Sequence, residues 1–297
     1  TDATGDAILN ADVDSSSAGD VTMIAAASVT GENVTVTGYN VQVDALTGDT
    51  RVTVTGQNDV QLNDAVTATA ENVLVTGGRN VTGAADGDIV AGGLVNVTGT
   101  LGNVTLDGSV TAQGTTATLI AGGNLTTNDF VTAATDVTLT GGIDTNINET
   151  VTATAGNIDI EATDGAVTTG ALGDLIASAG NVEIDAGLAV TTNAAVGTAL
   201  LPIGGTIDIG QNIEPTGTVD LNGTTIATGA ITVDGGDVTV DGAMDSQAGL
   251  VDLGARRNID INAATSANTA VTFAAVDGDI TIDAAVLSDT STITGTA

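Results

Sequence analysis

Along most of the chain, apolar and polar residues alternate in runs of three to five positions, as in Val238, Thr239, Val240 and Asp241. That period of two is a strand pattern: Val and Ile face one side while Thr or Asp face the other. Each run is closed by Gly, Asn or Asp, the residues that favour turns. The runs also recur. Val238, Ile259 and Ile280 are 21 residues apart, as are Val240, Ile261 and Ile282, while Ile231, Val251 and Val271 step by 20. A shorter apolar spot follows at Ala243 and Met244, at Ala263 and Ala264, and at Ala285 and Val286. Each unit therefore reads as strand, turn, strand, turn, short strand, turn.

A unit of about 20 residues cannot bury its apolar face alone and must stack on copies of itself. The pattern predicts an all-β fold, a single parallel β-helix (β-solenoid) running as one rod through residues 1–297. At 20–21 residues per rung it has about 14 rungs and a length of ~65 Å at the usual strand spacing. Related runs begin at Asn33, Arg51, Asn72, Asn103, Asp136, Asn157 and Asn181, with less even gaps. Pro202 and Pro215 fall in residues 198–223, where the beat is lost. Proline removes a ladder donor, so this stretch is expected to be an irregular interruption of the rod.

Outward columns are expected to avoid stacked charge, because equivalent residues of neighbouring coils lie about 4.8 Å apart. In the last three rungs acids alternate with neutral partners: Asp237, Asn258, Asp279; Thr239, Asp260, Thr281; Asp241, Asn262, Asp283. The Asn or Asp before each strand is expected to bond local backbone or to form an amide ladder. Calcium between neighbouring carboxylates is the other reading of these acids, since Ca²⁺ takes oxygen ligands, but the glycine-rich calcium-binding nonapeptide is absent. No other cofactor is expected.

Composition narrows the function. The 297 residues include 37 acids against four Arg and no Lys, for a net charge of −33. Nucleic acid is excluded as a partner, because phosphate binding needs clustered Lys or Arg. No run approaches the ~20 apolar residues of a membrane helix, so membrane insertion is not expected. With no His, Cys or Lys, the chain lacks the usual general bases, thiol nucleophiles and zinc ligands, and it is not expected to be an enzyme. Thr-x-Thr pairs (Thr35 and Thr37, Thr53 and Thr55, Thr138 and Thr140) resemble the flat threonine arrays of ice-binding faces, but Asp interrupts those columns in later rungs. Seven Asn-x-Thr sequons, at Asn33, Asn80, Asn96, Asn103, Asn124, Asn148 and Asn222, are candidate glycosylation sites that also serve as strand starts.

The units "GNVTL" (102), "GNIDI" (156), "GNVEI" (180), "GDVTV" (236) and "GDITI" (278) resemble filamentous-haemagglutinin-type β-helical repeats of large secreted bacterial adhesins. The Asn-Pro-Asn secretion motif of such adhesins is not present. The resemblance implies an exported fibrous protein, extracellular or at the cell surface. The start at Thr1, without initiator Met or signal peptide, fits a processed protein or a segment of a longer one.

A β-helix ends in open strand edges unless they are capped. No cap is legible at either end. The expected function is a structural filament subunit that joins copies of itself head to tail; the alternative is a shaft or binding segment of a large adhesin whose surface ligand is unknown. The candidate interface residues are Ala7, Ile8 and Leu9, inside a possible donated segment at 1–18, together with Val286, Leu287 and Ile293.

Overall fold

The computed structural model describes residues 5–11, 19–23, 27–197, 205–211 and 217–297. The chain divides into two compact units, residues 1–142 and 143–297. Each is a parallel β-solenoid, and together they make about 12 turns, with strands and turns but no helix among the described residues. That is fewer than the 14 expected, because several coils are longer than 21 residues. Val182 pairs with Ile207 and Val190 with Val219, steps of 25 and 29.

In the first unit a representative coil runs through Val95–Gly99, Val104–Leu106 and Val110–Ala112. Each strand pairs in parallel with its counterpart one coil on, Val95 with Ala117, Val104 with Leu125 and Val110 with Val131. Early coils replace two short strands by one long one. Ala45–Gly56 turns a corner so that Leu46 pairs with Val66 and Val52 with Val73. The alternation fixes the register, since slipping by one residue would turn every Val outward. Val36, Val54, Val75, Val97, Leu119 and Leu139 consequently form one inward column with no exposed surface.

The second unit repeats the design. Ile231–Gly235, Asp237–Val240 and Met244–Ser246 are followed by Val251–Ala255, Ile259–Ile261 and Thr265–Ala267. The 21-residue series is real pairing: Val238 with Ile259, and Ile259 with Ile280. The third series differs by one position from its sequence reading. Met244 pairs with Thr265, and Thr265 with Val286, while Ala264 is exposed. Thr265 is buried, as are Thr127, Thr145, Thr169, Thr192 and Thr225, so the interior accepts threonine at positions where alternation alone assigns it to the surface.

Turns stack as closely as strands, and this sets their glycines. A Cβ on Gly78 would stand 1.9 Å from the Gln57 carbonyl oxygen, and one on Gly223 1.8 Å from that of Ala194. Within residues 198–223, Ile207–Gln211 and Thr218–Leu221 remain in register with their neighbours. Both prolines lie outside the described residues, as does part of the 1–18 segment.

Candidate functional site: end coils and outward columns

Among the described residues, the strand Ala7–Asn10 is the outermost of its sheet in the first unit. It pairs with Ser28–Gly38, Ala7 with Val34, Ile8 with Thr35 and Leu9 with Val36. Ala7 is buried and Leu9 half-buried on the inward side, whereas Ile8 points outward and is 71% exposed. A shallow groove beside this strand is lined by Asp6, Ala7, Ile8, Ser28, Val29 and Thr30.

The last coil of the second unit comprises Ile280–Ile282, Val286–Ser288 and Ile293–Thr296. Ile282 and Ile293 continue the inward columns of Ile261 and Val271, which have no exposed surface. One coil later the same positions are 44% and 47% exposed. Val286 is half-buried in its own inward column, and Leu287 points outward. Of the expected interface residues, Ala7, Leu9, Val286 and Ile293 thus carry the inward columns, and Ile8 and Leu287 stand on the outer surface. The sequence reading missed Ile280 and Ile282, which the 21-residue beat already placed in the column.

Asn and Asp before the strands do more than hold their own turn. Asn80 Oδ1 accepts the backbone N–H of Asn103 at 2.8 Å, and Asn103 Oδ1 accepts that of Asn124 at 2.9 Å. Asn157 and Asn181 do the same for Asn181 and Thr206, each at 2.9 Å. The bonds run from coil to coil, so the side chains staple successive turns, and rungs of the expected amide ladder also occur, as where Asn58 donates its amide to Asn40 at 2.8 Å. Among the other sequons, Asn33 donates its amide to Asp6 at 2.8 Å and Asn222 to Asn193 at 3.0 Å. Asn96 sits on an open sheet, accepting the Thr98 hydroxyl at 3.0 Å, and Asn148 lies between strands.

The rule of alternating charge holds only locally. Asn258 donates its amide to Asp237 at 3.2 Å, and Asn262 does so to Asp241 at 2.8 Å. Arg257 reaches back one coil to Asp237, with Nε at 2.9 Å, and holds that carboxyl below its ordinary range. In the same unit, however, Asp159, Glu183 and Asp208 are stacked in register, with Glu161 opposite Asp185 beside them. The interior core and the parallel ladders fix that register and override the repulsion. Burial, then the neighbouring carboxylates, pushes Asp159, Glu183 and Asp185 above the ordinary range. Asp234 is raised in the same way, by burial and then by Asp252 and Asp208.

Among the described residues no group of three or more acids converges in an arrangement that would hold a metal ion. No family model, curated protein or solved structure matches the chain.

Proposed function

We propose that this protein is a structural subunit of an extracellular or cell-surface filament, extended by stacking of solenoid coils from one copy to the next. One observation carries the reading: Ile282 and Ile293 occupy columns that are sealed one coil earlier at Ile261 and Val271, yet are themselves nearly half exposed. A further coil laid in parallel register would complete the hydrogen bonds of Ile280–Ile282 and Ile293–Thr296 and bury these isoleucines. Full burial of such a side chain is worth roughly 1.5–3 kcal/mol. Backbone ladder bonds supply affinity in this mode of strand addition, and the inward side chains supply register. The net charge of −33 then keeps laterally adjacent fibres apart.

Electron microscopy and sedimentation of the purified chain over a range of concentrations test this reading. Uniform fibres that disappear in an Ile282→Asp, Ile293→Asp variant of unchanged circular dichroism are the expected result. Single short particles at every concentration would overturn it.

A second reading, an adhesin shaft, draws on the same coil. Ile293–Thr296 keeps strict parallel register with Val271–Ala275, so further coils of a longer polypeptide fit there as well as those of a second copy. A longer chain that continues the repeat and remains monomeric would favour it.

A further inference from the structure

In the first unit, six paired strands present two uncharged outward columns side by side, whereas the three-residue strands of that unit present a single one, such as Gln42, Gln61, Thr82, Thr105 and Thr126. One column is Thr35, Thr53, Leu74, Asn96, Thr118 and Thr138. The other is Thr37, Thr55, Thr76, Thr98, Ile120 and Thr140, in unbroken register. None of these twelve positions is charged and nine are Thr, in a chain carrying 37 acids. The interrupting acids noted in the sequence belong to the second unit, where Asp159, Glu183, Asp208 and Asp252 occupy outward positions of the corresponding strands.

We infer that this threonine face binds the surface of an ice crystal. Parallel strands set equivalent hydroxyls about 4.8 Å apart across the sheet, and alternate residues set them about 6.6 Å apart along it. The result is a two-dimensional lattice of hydroxyl and methyl groups, which complements a ligand that itself repeats in two dimensions. The hydroxyls are available: of the nine threonines, Thr98 alone bonds another side chain of the face, that of Asn96. The β-branched rotamer is stiff, so the lattice is ordered before it meets its ligand. A polyanion or a metal ion would need charge here, and a flat polysaccharide would want aromatic platforms, yet the face has neither. Ordered water requires only spaced hydroxyls and dry methyls. The face lies on the sides of the coils, so the inference is independent of end-to-end assembly.

The test is incorporation of the full chain into a slowly growing ice front, read as the ratio of protein in ice to protein in the remaining liquid. The wild type is expected to enrich in ice, and a Thr55→Asp, Thr98→Asp variant to fall at least tenfold. Aspartate at outward strand positions is already accommodated in the second unit, so the variant should fold, and circular dichroism checks that it does. Thr105→Asp, on a strand of a different sheet, should incorporate like the wild type. Exclusion of the wild type from ice would overturn the inference, as would equal incorporation of the double variant. Binding of the wild type to microcrystalline cellulose, lost in the same variant, would assign the face to a polysaccharide and also overturn it.

Discussion

Asn80 accepts the backbone N–H of Asn103 through its side-chain oxygen at 2.8 Å, a bond between residues 23 apart in sequence and in adjacent coils. The main chain alone would leave that N–H to solvent at the turn. The side chain extends the ladder round the corner, where strands cannot.

Replacing Asn103 by Ala removes one such staple and leaves the N–H of Asn124 without its acceptor. A loss of about 1 kcal/mol is expected from a hydrogen bond of this kind. Asn96→Ala, on the open sheet, should cost less. Urea unfolding followed by circular dichroism compares the two.

Buried threonines make the opposite prediction. Thr192 and Thr225 are fully enclosed and their hydroxyls find no partner. Valine has nearly the same shape without the hydroxyl, and a buried unsatisfied polar group costs about 1–3 kcal/mol. Thr225→Val should therefore stabilise the chain by roughly 1 kcal/mol, read as a higher urea midpoint with unchanged slope.

The two isoleucines of one column should respond unequally. Ile261→Ala opens a void in a sealed interior and is expected to cost ~2–5 kcal/mol. Ile282→Ala, one coil on and 44% exposed, should cost a fraction of that in the isolated chain. If copies stack, the difference shrinks with protein concentration, which denaturation at several concentrations would reveal.

The carboxylate stack gives a pH dependence of definite sign. Asp159, Glu183 and Asp185 titrate above the ordinary carboxylate range in the folded chain. Between that range and their folded values the folded state holds protons that the unfolded state releases, so stability rises as pH falls through the window. Asp237 opposes this at lower pH, since its lowered value means that its contribution is lost on protonation. Melting temperature should increase from pH 7 towards mildly acidic pH and then turn down. Asp185→Asn should raise stability at pH 7 and flatten the rise. Added salt at neutral pH should act in the same direction as mild acid, by screening the stack.

Turn glycines set a steric limit. Gly78→Ala places a methyl against the Gln57 carbonyl, and since backbone on both sides must shift, a loss of about 1–3 kcal/mol is expected. Thermal unfolding of the variant measures it.

The solenoid was legible because its signal is redundant: Val238, Ile259 and Ile280 repeat both the period of two within strands and the beat of 21 between coils. Thr265 escaped because a methyl and a hydroxyl share one side chain, and alternation scores only the hydroxyl. Ile8 and Leu287 entered the expected interface on apolarity alone, which does not say which way a strand residue points; only the register with Thr35 and Ser266 does. The stacked acids Asp159, Glu183 and Asp208 were hidden by uneven coil length, since 24- and 25-residue steps do not align on a 21-residue ruler. The neutral threonine face was visible in pieces, but its continuity required the pairing.

The tolerance of coil length has a consequence for how such a chain changes over generations. Steps of 17 and 18 residues, Val29 to Leu46 and Val34 to Val52, keep parallel register in the first unit, and steps of 25 and 29, Val182 to Ile207 and Val190 to Val219, keep it in the second. A coil therefore answers only to the one before it and the one after it. Misaligned recombination between two similar gene segments would delete or duplicate a whole coil and still leave every junction compatible, so the number of coils is heritable variation that the architecture leaves open.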